Sequence, residues 1–122
     1  MPYTLGYKDG YIHIEWHGEF SAQDLAQLRQ DMPKHAIKFI WTRRVLHTFD
    51  GVTSCSLKPM EALDHSVKRK RFAIPIKARA ASVAKTEEVY KFAKLMQELN
   101  RNTNLAMEIF PDEQSAIAWL KE

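Results

Sequence analysis

The stretch Val45-Leu46-His47-Thr48-Phe49-Asp50-Gly51-Val52-Thr53-Ser54-Cys55-Ser56 decides how this chain is read. Val45 to Phe49 has the apolar and β-branched content of a strand. Pro59 follows three residues after Ser56 and suits the first turn of a helix, where a missing N–H costs nothing. Residues 50–56 therefore read as a strand-to-helix turn. Asp50, Gly51, Thr53, Ser54, Cys55 and Ser56 gather small hydrogen-bonding or nucleophilic side chains there. A helix N-terminus offers unpaired N–H groups and a partial positive charge, so this turn suits an anion or a phosphorylated hydroxyl. The plainer reading uses the same residues: Asp and Gly form the turn and Ser56 caps the helix.

Upstream, Tyr3, Leu5 and Tyr7 alternate with small or polar residues, and so do Ile12, Ile14 and Trp16. Lys8-Asp9-Gly10 lies between the two runs, and Asp-Gly in that setting predicts a β-hairpin. One face of its second strand carries Ile12, Ile14 and Trp16 inward. The other carries Tyr11, His13 and Glu15 and is expected to meet solvent, with His13, Glu15 and His17 read as a solvated edge rather than a metal site. Ser21 opens a helix, with Asp24 at its third position and Phe20 stapled against Leu25. Leu25, Leu28 and Met32 follow helical spacing, and Pro33 ends the run. Ile37 to Trp41 reads either as a strand start or as a packed connection.

Downstream, Met60, Leu63 and Val67 share one helical face, and Ile74-Pro75 closes that segment. Ile76 to Ala84 reads as a strand rich in small residues, suited to lie under closely packed helices. Thr86 caps a third helix whose buried stripe is Val89, Phe92, Met96 and Leu99. Leu105, Met107 and Ile109 alternate as a last strand. Asp112 caps a final helix in which Ala116, Trp119 and Leu120 close the core. The order β-β-α-β-α-β-α-β-α predicts an α/β fold in one domain over residues 1–122. Its mixed, mostly parallel sheet of about five strands packs against about four helices.

The chain has 122 residues, 45% of them hydrophobic and 27% charged, which excludes a disordered polyelectrolyte. A single cysteine, Cys55, allows no internal disulfide, so a reducing, cytoplasmic setting is expected. The N-terminus shows no basic-then-apolar leader, and no run reaches the roughly 20 apolar residues of a membrane span. Net charge is +3, a mild basic bias. Lys68-Arg69-Lys70-Arg71 is the densest basic run and a surface candidate for phosphate groups. Its plainer role is to offset a helix C-terminus, with Asp64 pairing Lys68, and no interleaved aromatics point to nucleic acid. Cys55 and His47 lie eight residues apart without a visible third member, so a thiol enzyme is the minor reading. No CxxC, HExxH, P-loop or GxGxxG pattern occurs, so no metal and no cofactor is expected.

Three segments resemble a family. They are Val45–Ser54, Ala80-Ala81-Ser82-Val83-Ala84-Lys85-Thr86-Glu87-Glu88-Val89-Tyr90, and the tail from Phe110-Pro111-Asp112 to Trp119-Leu120. Together with the order of elements, they resemble the STAS domains and within them the SpoIIAA-like proteins, also described as STAS/SEC14-like. The resemblance implies a non-enzymatic regulatory module similar to anti-sigma-factor antagonists. Those proteins carry an Asp-Ser-Ser-Gly turn in which a serine is phosphorylated. The counterpart here, Thr53-Ser54-Cys55-Ser56, has the hydroxyls without that aspartate and glycine. Ser54 and Ser56 are thus the residues to which such a role transfers. The expected act is docking of a partner protein through the 50–56 turn and the following helix. Likeness to SEC14-like domains implies a second role, a small apolar or lipid-like ligand held between sheet and helices. A homodimer through the hairpin edge, Tyr11, Trp41 and Tyr90 is a further expectation.

Overall fold

The computed structural model describes residues 3–8, 10–70, 77–100 and 104–122, without the side chains of residue 66 and residues 68–70. Its strands are β1 (Tyr3–Lys8), β2 (Tyr11–Phe20), β3 (Arg44–Cys55), β4 (Ala78–Val83) and β5 (Leu105–Phe110). The helices are α1 (Ala22–Asp31), α2 (Ala36–Thr42), α3 (Pro59–Lys70), α4 (Glu87–Leu99) and α5 (Glu113–Leu120). A 3₁₀ turn over Met32–His35 joins α1 to α2. The sheet runs β1-β2-β3-β4-β5. β1 pairs antiparallel with β2, placing Lys8 opposite Tyr11 across a turn in which Gly10 takes φ +90°. The other pairs are parallel. This is the expected architecture, with α2 added to it.

A parallel sheet that grows in one direction by right-handed crossovers stacks its crossover helices on one face. α1, α3 and α4 pack side by side accordingly. The face beneath them buries Ile12, Ile14, Trp16, Val45, Phe49, Ala78 and Ala80. Among the described residues, the opposite face is closed by α5, where Ala116 and Leu120 bury Tyr11, Leu46, Ala81 and Val83. Tyr11 and His13 are therefore buried, against the expectation of a solvated face. The His13 ring bonds Thr48 Oγ1 at 2.9 Å, and burial holds its pKa below the ordinary histidine value. His17 bonds Thr4 Oγ1 instead, so the His13–Glu15–His17 set does not converge.

The caps lie where their residue types require. Ser21 N–H donates to Asp24 Oδ2, Val89 N–H to Thr86 Oγ1, and Ser115 N–H to Asp112 Oδ1. Ile37–Trp41 is no strand but a connection, with Phe39 packed against the core. It is helix α2, which leaves Ile37 and Trp41 73% and 82% exposed. Met60, Leu63 and Val67 also face outward, while Ala62 and His65 form the buried side of α3. Ile74-Pro75, Asp9 and Arg71 lie outside the described residues.

The main correction concerns residues 50–56. They form no turn: β3 continues to Cys55, pairing Gly51, Val52, Ser54 and Cys55 with His17, Gly18, Glu19 and Phe20 of β2. Only 56–58 connect β3 to α3. The reason is that β2 is ten residues long and offers its whole length as a partner. Two register shifts let the longer β3 follow it, one with Gly18 at φ +68°. Gly51 is a close-approach glycine rather than a turn glycine. A Cβ there would lie 2.6 Å from His17 Nδ1 and 3.1 Å from the Trp16 carbonyl oxygen.

Candidate functional site

A sheet with no reversal in its parallel strand order has no topological switch point, the usual ligand crevice of open α/β folds. The hollow lies inside instead. A cavity of about 500 Å³ opens between the sheet and the layer of α1, α2 and α4. That volume falls within the range of small-molecule sites. Strands contribute Ile14, Trp16, Phe20, Val45, Phe49 and Ala80 to its wall. The helical layer contributes Leu25, Leu28, Met32, Phe39, Ile40, Phe92, Ala93 and Met96.

Small residues make the space. Ala80 on β4 and Ala93 on α4 both face it, where larger side chains would meet. An aromatic cluster forms one side. Trp16 stacks on His47 and Phe49 with centroids 6.2 and 6.4 Å away, and meets Phe20 edge-on at 4.9 Å. Phe92 of α4 closes on Phe20 at 4.7 Å.

Among the described residues, four polar side chains interrupt this lining: Arg29, His47, His65 and Ser82. Trp16 Nε1–H donates to His47 Nδ1 at 3.1 Å, which assigns the proton of the neutral ring to Nε2. Arg29 Nη1 meets His65 Nδ1, and because a guanidinium only donates, that nitrogen accepts. His65 is 5% exposed and Arg29 half-buried, so a cation sits in a largely apolar wall. The same two residues border a second hollow between α1 and α3 that Glu61 and Asp64 also line. The cavity thus has an apolar body and one positively charged corner. Chemically, that arrangement suits an amphipathic molecule with an apolar tail and an acceptor or anionic head.

The residues singled out from the sequence lie elsewhere. Asp50, Gly51, Thr53 and Ser54 are exposed on the far half of β3, and Ser56 is exposed just beyond it. Asp50 pairs with Lys85 Nζ at 3.2 Å. Cys55 is half-buried against the core. Eight residues of strand separate it from His47, a span of roughly 26 Å, so the two form no dyad. Lys68, Arg69 and Lys70 fall in the last turn of α3. Among the described residues, no three His, Cys, Asp or Glu side chains gather as a metal would need. No described helix is long and apolar enough to cross a membrane. Neither Arg29 nor the cavity was signalled by a motif. The likeness to SEC14-like domains implied a ligand between sheet and helices, and the run of small residues in β4 was a second available signal.

Solved structures share this architecture. One is an uncharacterised protein of the DUF3478 family with a SpoIIAA-like fold from Shewanella loihica PV-4. It is 17% identical, with a TM-score of 0.58 over 97% of this chain and 91% of that one. Another is the anti-sigma factor antagonist SpoIIAA in its unphosphorylated form. It is 12% identical, with a TM-score of 0.61 over 98% of this chain and 97% of that one. No family model matches the sequence, and no curated protein matches it. The chain has the SpoIIAA-like fold, as the sequence resemblance implied.

Proposed function

We propose that this protein is a non-catalytic binding module that holds a small amphipathic molecule between its sheet and its helices. The observation that supports this reading is the cavity of about 500 Å³ with apolar walls and the Arg29–His65 corner. An apolar tail would replace the missing packing partners of Phe49, Phe92 and Met96. Arg29 would hold the head, because a guanidinium pairs with a carboxylate or phosphate through two parallel hydrogen bonds. The test is titration with a fluorescent fatty acid, alongside solvent extraction and mass spectrometry of the native protein. Uptake at one site per chain is expected, and Arg29→Met should weaken it about tenfold, the effect of about 1.4 kcal/mol from one lost charged contact. A protein that carries no extractable ligand and takes up neither fatty acid nor neutral amphiphile refutes the reading.

A second reading is favoured by a different observation. α3 turns Met60, Leu63 and Val67 outward at helical spacing, a few residues along the chain from the exposed hydroxyls of Ser54 and Ser56. That surface suits a partner protein, in keeping with the SpoIIAA-like fold. A phosphate on Ser54 or Ser56 would add a charge of about −2 near it along the chain. Pull-down with Ser54→Glu and with Leu63→Ser tests this. Both substitutions should change the captured set, and an unaltered set would remove the reading.

A further inference from the structure

The crossover topology sorts charge to the two ends of the molecule. Helices returning antiparallel to the strands begin at the strands' C-terminal end, where Glu61, Glu87, Glu88, Asp112 and Glu113 in first turns or caps outnumber Lys58 and Lys85. The opposite end holds α2 and the starts of β3 and β4. From Met32 to Phe49 the chain carries Lys34, Lys38, Arg43 and Arg44 and no acidic residue. Lys38 and Arg43 are exposed beside Ile37 and Trp41, the latter 82% exposed on a helix of only seven residues. The inner side of the same helix, Ala36, Phe39 and Ile40, lines the cavity.

Arg43 adds an independent observation. It terminates α2 at φ 59°, with its N–H bonded to the Phe39 carbonyl at 2.8 Å. That left-handed position is ordinarily given to glycine, and an arginine there is a strained choice. Strain kept in a surface residue is a pointer to function.

We infer that α2 and the basic end of the sheet dock the protein on an anionic lipid bilayer. Trp41 and Ile37 enter the headgroup boundary, where an indole with an apolar body and a polar N–H is at home. Lys38, Arg43 and Arg44 meet the phosphate layer, each contributing about fivefold in affinity. The acidic end points away, so the field orients the approach. Charge disfavours a second copy of this chain as the occupant. A two-fold interface on this patch would set Lys38 and Arg43 against their own counterparts. Docking does not require an occupied cavity, although it brings the α2 wall of the cavity to the lipid.

The test is sedimentation with phosphatidylglycerol-rich vesicles and with pure phosphatidylcholine vesicles, at low and high salt. The protein should sediment only with the anionic vesicles, and less so at high salt. Trp41→Ser with Ile37→Ser should reduce binding at least roughly tenfold, because both side chains lose their apolar burial. Lys38→Gln with Arg43→Gln should cost about twenty-fivefold, two factors of five. All four positions are exposed, so circular dichroism and melting should be unchanged. Arg43→Gly separates docking from folding: stability should hold or rise while binding falls about fivefold. Failure of the parent protein to bind anionic vesicles overturns the inference. So does binding that ignores Trp41→Ser with Ile37→Ser, or a dimer in solution that the same substitutions dissociate.

Discussion

Filling the cavity from within is the sharpest test of the site, because an empty space and a packed core predict opposite signs. Ala93 lies on α4, is 4% exposed and lines the hollow. Ala93→Leu adds three carbons. At about 0.8 kcal/mol per buried carbon, the gain is at most about 2.4 kcal/mol. Ordering the leucine costs about 0.5–1 kcal/mol, and its lower helix propensity a few tenths more. The net is a stabilisation of about 1 kcal/mol, which at this chain length raises Tm by about 4 °C. If the space were already packed, the same carbons would force neighbours aside. That would cost about 1–3 kcal/mol, a Tm lowered by roughly 4–12 °C. Urea unfolding gives the sign, and titration with a fluorescent fatty acid gives the second readout. Ala93→Leu should be at least as stable as the parent and bind the probe more weakly. A variant destabilised by more than about 1 kcal/mol refutes the cavity as drawn. A variant as stable as expected with undiminished uptake places the ligand elsewhere.

Other outcomes follow from the same packing. Gly51→Ala should destabilise by about 1–3 kcal/mol, since its Cβ would crowd His17 and the Trp16 carbonyl. His17→Ala should recover part of that loss, whereas no recovery would place the strain on the backbone contact alone. Burial lowers the His13 pKa, and the attraction of Glu15 opposes this without overcoming it. The unfolded chain therefore takes the proton first, and the contribution of His13 is intact above pH about 6.5 and is lost as pH falls below it. His13→Gln should flatten the pH dependence of stability between pH about 6.5 and 5, by at most about 1.4 kcal/mol per unit. An unchanged slope would mean that His13 is not the group responsible. Arg79 donates to the Trp119 carbonyl at 2.6 Å and lies 5.0 Å from its ring centroid. Arg79→Lys should cost about 1–2 kcal/mol in urea unfolding, because an ammonium cannot reproduce the planar contact. A cost near zero would mark α5 as held by Ala116 and Leu120 alone.

The hairpin, the caps at Ser21, Thr86 and Asp112 and the strand–helix alternation were legible because each rests on local chemistry. An Asp-Gly between alternating runs, or a hydroxyl or carboxylate before a helical stripe, acts within a few residues of itself. The outer face of β2 was misread for the opposite reason. Tyr11-Ile12-His13-Ile14 alternates as a half-exposed strand does, but α5, a hundred residues on, covers the polar-looking side. A histidine can serve both settings because Thr48 bonds its Nε2, while its Nδ1 lies 3.7 Å from Glu15 Oε1. Alternation thus reports side-chain type and leaves open what a distant helix will cover.

Residues 50–56 show the same limit more sharply. Asp, Gly, Ser and Thr are turn formers in isolation. Here their backbone groups are taken by β2, whose length is a property of a different segment, so a sequence suited to a turn is held extended. Gly51 then serves the close approach of two strands rather than a reversal. The cavity lies furthest from sequence because it is defined by what is missing. Phe92 and Met96 keep the spacing of a filled core stripe. Only their pairing in space with Ala80 and Ala93 leaves room beside them, and Arg29 becomes notable only because, among the described residues, it is the one Lys or Arg in that wall. A stripe and a cavity wall are the same pattern in one helix. The difference lies in the size of residues on the strand opposite, and that register is set by the whole sheet.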